Sequence, residues 1–239
     1  MRKGLLLTFL SAMITVLAFS QDNYWSQNNE NRNAMAKDKA VARSSYPTEY
    51  RLFNLNIAPL RQQLFSVVDK QSKQSTVITL PNAAGILEQF EVFEASNFEP
   101  ALQAKFPEIR AYSGRGITDM SATLKLSISL QGIQTMVFRA GKENEFIEAY
   151  SADHNVYSVF RSQRAAGSLK WTCSTPDEQL ATGLNNQVNS YVARSGGNLK
   201  TLRLAQSCNG EYSNWFGAFN SSQVGLVLAA FNATLTRCN

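Results

Sequence analysis

The sequence predicts an α+β fold: a mainly antiparallel β domain with short helices, followed by the first strand and helix of a second unit of α/β type. Three observations predict it. Runs of apolar and polar alternation recur between about Tyr50 and Phe160, with "ATLKLSISL" the clearest. Asparagine, glycine and proline punctuate those runs at hairpin spacing. After a looser stretch, the strand-like "TLRL" precedes a long helical pattern that runs almost to Asn239. With 239 residues, 44% hydrophobic and 17% charged, the chain has enough material for one large core or two small ones, and its composition excludes both wholesale disorder and a multi-span membrane protein. The formal charge of +5 is modest and no basic run is interleaved with aromatics, so no nucleic-acid partner is expected.

Residues 1–20 read as a secretory signal peptide. Met1, Arg2 and Lys3 give a positive start, Leu5 to Phe19 an apolar run, and Ala18-Phe19-Ser20 a cleavage site after Ser20. The run is too short to span a bilayer, so the mature chain is expected to be exported, with no membrane span after cleavage. Residues 21–47 are polar and asparagine-rich and read as a flexible lead-in. A β-rich domain is expected over 48–164. In "YRLFNLNI", Arg51, Phe53, Leu55 and Ile57 share one face of a strand, and Pro59 opens a short helix through Leu60, Leu64 and Val67. "TVITLP" and "EQFEVFEA" form a hairpin around Asn82 to Gly85. "EPALQAKFPEI" reads as a short helix with Ala101, Leu102 and Phe106 toward a sheet. In "ATLKLSISL" Leu124, Leu126, Ile128 and Leu130 face inward, and "IQTMVFRAGKENEFIEAY" gives two more strands joined at Gly141.

Residues 165–198 read as a linker or activation region, rich in glycine and open to proteolysis, with Arg161, Arg164, Lys170 and Arg194 as basic residues in and beside it. From 199 to 239 a second start is expected. Leu202 and Leu204 alternate in a strand, and Ser221 or Ser222 caps a helix through Arg237. Val224, Val227, Leu228, Phe231 and Leu235 form that helix's apolar face, which requires a partner sheet. The cysteines are three, Cys173, Cys208 and Cys238, so at least one cannot pair within the chain; the sequence leaves the pairing open.

Two blocks carry a resemblance. "FPEIRAYSGRGITDMSATLKLSISLQGIQTMVF", residues 106–138, resembles the pro-region of secreted reprolysin-like zinc metallopeptidases of the Bacteroidetes type. "LRLAQSCNGEYSNWFG" followed by "LVLAAFNATLTRCN" is similar to the first strand and first long helix of their metzincin catalytic domain. The resemblance implies a precursor: signal peptide, a pro-domain over 48–164 that assists folding and restrains activity, and a truncated catalytic start. The full-length enzyme would then bind zinc, activate water and hydrolyse protein or peptide substrates, with the pro-domain contacting the catalytic domain intramolecularly.

The zinc motif of such enzymes, H-E-x-x-H-x-x-G-x-x-H, needs three histidines, and this chain has one, His154. No catalytic or metal-binding residue is therefore assigned here, no cofactor is expected in this fragment, and the fragment itself is expected to be inactive. Cys173 is the candidate inhibitory thiol, with a buried structural cysteine or a Cys173–Cys208 pair as the alternatives; Arg164 and Arg194 are the candidate activation cleavage points. His154 with Asp153 reads as a turn, Glu211 as a helix-dipole partner, and Tyr212, Trp215 and Phe216 as core residues of the catalytic domain. A second reading, from another class, is a secreted non-catalytic binding or inhibitory module derived from such a pro-domain.

Overall fold

A computed structural model describes residues 24–30, 35–37, 47, 49–68, 74–162 and 204–238. Nine strands form one antiparallel sheet: β1 Trp25–Gln27, β2 Arg51–Leu55, β3 Ser75–Pro81, β4 Leu87–Glu94, β5 Arg110–Gly116, β6 Ala122–Ser129, β7 Gly132–Arg139, β8 Glu145–Ala149 and β9 Val156–Arg161. Their order is β1-β2-β9-β8-β7-β6-β5-β4-β3. From β3 to β9 each strand pairs with the next in sequence, a meander of hairpins; β2 then returns to pair with β9. At the β6–β7 turn Gly132 has φ +89°, and a Cβ there would lie 2.2 Å from the Tyr157 hydroxyl. Only glycine fits this tight turn without strain.

The sheet curls toward a barrel. Leu124, Leu126 and Ile128 of β6, Phe90 and Val92 of β4 and Tyr157 and Val159 of β9 face one continuous core, as the two-residue period requires. Helix α1, Ile57–Phe65, is capped by Asn56, whose side chain accepts from the Ala58 N–H. It sets Leu60 and Leu64, both fully buried, into that same core, and the Tyr112 hydroxyl donates to the Leu64 carbonyl at 2.9 Å. Where the two sheet edges approach, Trp25 Nε1 donates to the Thr79 carbonyl and the Thr79 N–H donates to the Tyr24 hydroxyl. A second tie joins Arg51 of β2 to the Ala83 carbonyl in the β3–β4 turn.

Several sequence expectations need correction. Residues 24–30 and 35–37, read as part of a flexible lead-in, are built into the domain: Tyr24 and Trp25 lie in the main core, and Met35 packs on a smaller cluster of Leu52, Tyr150 and Val156. Their two aromatics outweigh the surrounding asparagines, because burying a large ring offsets the ordering of a short segment. Leu130 is 62% exposed rather than inward, since the chain turns before it. Helix α2, Pro100–Lys105, buries no residue fully: of the three expected toward a sheet, Ala101 is exposed, and Leu102 and Phe106 are half-buried.

Two units are distinguished, 1–162 with 210–239, and 163–209. Of the second, only 204–209 are described, and they carry no regular structure, so the strand expected at Leu202 and Leu204 is absent at Leu204 and otherwise lies outside the described residues. The first unit also contains α3, Gly210–Trp215, a 3₁₀ turn at Ser221–Gln223, and α4, Val224–Cys238. Among the described residues no helix is long and apolar enough to cross a membrane.

Candidate functional site: a helix held on the outer face of the sheet

In β6 the side chains alternate, so Ser127 lies on the face opposite Leu126 and Ile128. That outer face carries α4, which packs on β5, β6 and β7. The helix is capped not by Ser221 or Ser222 but by Asn220, whose side chain accepts from the Ser222 N–H and starts the 3₁₀ turn ahead of α4.

The side of α4 buried most deeply shares only Val227 with the face that hydropathy selects. Val227, Ala229, Ala230, Asn232, Ala233 and Thr236 are buried, whereas Leu228, Phe231 and Leu235 are only half-buried and Val224 is exposed. Small side chains bring the helix close to the strands. At Gly225 the helix also lies close to the loop ahead of β5, where a Cβ would meet the Phe106 ring at 3.4 Å. The half-buried face is partly covered by α3, where Tyr212 stacks on Phe231 with ring centroids 5.6 Å apart.

Polar contacts set the register of the helix. Asn232, 1% exposed, donates from Nδ2 to the Ser127 hydroxyl at 2.9 Å and to the Arg110 carbonyl at 3.1 Å. Its Oδ1 accepts from Asn97 Nδ2 at 2.9 Å, and Asn97 also donates to the Thr236 hydroxyl. Asn232 thus has both donor and acceptor satisfied, the condition under which a buried amide is tolerated. One turn on, Arg237 pairs with Glu148 at 2.8 Å and lies over the Phe146 ring. A groove of about 310 Å³ opens beside the first turn of α4, between Leu226 and Phe106, Leu130 and Gln131.

A second cluster sits inside the curl, away from α4. Arg139, with a side chain only 5% exposed, binds Glu88, Asp119 at 2.7 Å and Glu145 at 3.0 Å, and Arg161 pairs with Glu145. Burial opposes the charge on Arg139, but the hydrogen bonds it donates to the three carboxylates outweigh this and push its pKa above the ordinary value. Asp119 is held at about 2, by hydrogen bonds from the Ser121 hydroxyl and N–H and then by Arg139. Every charge here is committed to a partner, which makes the cluster a structural tie between β4, the β5–β6 loop, β7 and β8.

The residues singled out from sequence fall elsewhere. Ser20, Arg164, Cys173 and Arg194 lie outside the described residues. His154 sits in the β8–β9 turn with φ +57°, beside Asp153, whose carboxylate binds Ser151 and Asn155. Among the described residues no three His, Cys, Asp or Glu side chains gather as a metal site. Glu211 lies in the first turn of α3. Trp215 is 62% exposed and Tyr212 36%, while Phe216 is half-buried. Cys238 is exposed at the end of α4. The residues that build the helix contact, Asn97, Ser127, Asn232 and Thr236, were not singled out; an asparagine and a threonine four apart in an apolar helix were the available signal.

Compared with known proteins, the chain matches no family model, no curated protein and no solved structure.

Proposed function

We propose that this chain is the N-terminal part of a secreted zinc metalloendopeptidase precursor, and that its β-sheet unit is a pro-domain that supports folding and restrains the enzyme by holding a helix. The observation that carries this reading is the contact between α4 and the sheet. "LVLAAFNATLTRCN" is the segment similar to the first catalytic helix, and its Asn232 is bonded to Ser127 and the Arg110 carbonyl of the sheet. A pro-domain that grips the first helix of its enzyme both templates that helix and keeps it from its mature packing.

Among the described residues no side chains gather as the family's zinc site. The single histidine stands in a turn whose neighbouring carboxylate is already engaged. Zinc and its hydrolytic chemistry thus belong, on this reading, to residues beyond this chain, and the parts assigned here are the grip on α4, Cys173 as inhibitory thiol and Arg164 or Arg194 as cleavage points. The test is the coding sequence past codon 239. A frame that continues into an H-E-x-x-H motif, and a longer precursor whose chelator-sensitive peptide hydrolysis rises after cleavage within 163–203, bear the reading out; a frame without the motif ends it.

A second reading is a secreted non-catalytic binding or inhibitory module. One observation favours it: α4 already has a sheet to lie on, so its buried side needs no further domain. The same coding sequence separates the two, since a stop codon directly after Asn239 selects this one.

A further inference from the structure

The buried residues of α4 and those of the sheet's interior belong to different layers. Among the described residues the main core gathers Tyr112, Tyr157, Phe90, Leu60, Leu64 and their neighbours without any member of α4, and the smaller cluster around Leu52 contains none either. The interior is therefore closed without the helix. What α4 buries fully is one valine and three alanines, with Leu226, Leu228, Phe231 and Leu235 only half-buried, supplemented by the bonds of Asn232 and Thr236 to Ser127 and Asn97 and by the Arg237–Glu148 pair. Hydrogen bonds of this kind exchange readily for water and add only modestly to net stability, while fixing register closely. Large apolar surfaces favour permanent union, whereas small and polar ones are found where partners separate.

We infer that the outer face of β5 to β8 is a releasable helix-binding surface, with α4, clasped to α3 through Tyr212 and Phe231, as its resident ligand. The surface selects an amphipathic helix that offers small residues at two successive turns, an asparagine toward Ser127 and the Arg110 carbonyl, and an arginine one turn later toward Glu148. Release exposes Ser127, Glu148 and Asn97 to water, where each is solvated, and leaves the interior untouched. The inference rests on the helix contact and holds whether or not a peptidase follows.

Hydrogen exchange on the intact chain tests it. A detached helix of this length is marginal in water, so its amides exchange when it leaves. The expected result is that amides of 224–238 exchange together, at least about tenfold faster than those of β6 and β7, the ratio that a charge-assisted bond or two controls. Arg237→Ala is expected to speed α4 exchange by a further factor of about ten and to leave β6 and β7 unchanged. Ser127→Ala, a milder change on the sheet side, gives the same pattern with a smaller factor. If α4 and β6 exchange at one common rate, or if both variants speed the whole sheet together, the helix is an integral layer and the inference fails. Protection of α4 that rises with protein concentration overturns the assignment as well, because the helix then docks on another copy.

Discussion

Trp25 donates its indole N–H to the carbonyl of Thr79 at 2.9 Å, joining two residues from opposite edges of the sheet. The β3 edge is thereby not fully open to a foreign strand: the Thr79 N–H is taken up by Tyr24, and Pro81 further along the strand offers no donor.

Trp25 is 3% exposed and meets Phe53 and Tyr157 edge-on. Trp25→Ala is expected to cost about 3–5 kcal/mol. Tyr24→Phe, which leaves the ring and removes the hydroxyl, is expected to cost about 1 kcal/mol. Denaturant melts of the two variants check this; equal midpoints for wild type and Trp25→Ala would show that the seam contributes nothing.

The Tyr24 hydroxyl also has a pH signature. Burial first of all raises its pKa to about 12 from an ordinary value near 10, although the Thr79 bond opposes this. A phenol with a raised folded pKa contributes stability that is complete below the unfolded pKa and is lost as pH rises toward 12. Wild type is therefore expected to lose stability between pH 10 and 12, with Tyr24→Phe losing less across that window. Parallel curves for the two proteins would contradict the assignment.

Arg139 binds three carboxylates from β4, the β5–β6 loop and β8, so its removal strands buried charge. Arg139→Met is expected to destabilise by about 3–5 kcal/mol at neutral pH. Asp119 runs the other way with pH. Its folded pKa, about 2, lies below the unfolded value, so the stability it contributes is present above pH 4 and is lost as pH falls toward 2. Asp119→Asn should flatten the acid limb of the stability curve in that window, as read by melting temperature from pH 5 to 2.

Gly132 offers a local check on the barrel turn. Gly132→Ala combines positive φ with a Cβ pressed against the Tyr157 hydroxyl and is expected to cost at least about 2 kcal/mol. The double variant Gly132→Ala, Tyr157→Phe should recover part of this, because the clashing oxygen is gone. A double variant no more stable than Gly132→Ala would place the cost in the backbone and in the Ile133 N–H that loses the Tyr157 hydroxyl.

The β-meander was legible because its alternation is strict. Leu124, Leu126 and Ile128 could face only one way, and the turns at Asn82 to Gly85 and at Gly141 stand where the sequence puts them. Composition misled at Tyr24 and Trp25, since a local average dominated by asparagines conceals two rings that find their partners far along the chain. Hydropathy misled at α4 for another reason. Of the expected face Val224, Val227, Leu228, Phe231 and Leu235, only Val227 is fully buried, while close approach to strands also selects Ala229, Ala233 and Asn232. No periodicity rule weighs closeness against greasiness. The grip on α4 was illegible because its parts, Asn97, Ser127 and Asn232, come from distant segments and none is unusual alone.

The strand order carries a consequence for how the chain reaches this shape. From β3 to β9 every pairing is between neighbours in sequence, so each hairpin can form on the one before at little cost in loop closure. β2 must instead wait for β9, the last strand made, before Leu52 can pair with Ser158. The early residues of the domain are thus the late arrivals in its assembly, and the slow step is the return of the N-terminal segment to the far end of a meander already formed.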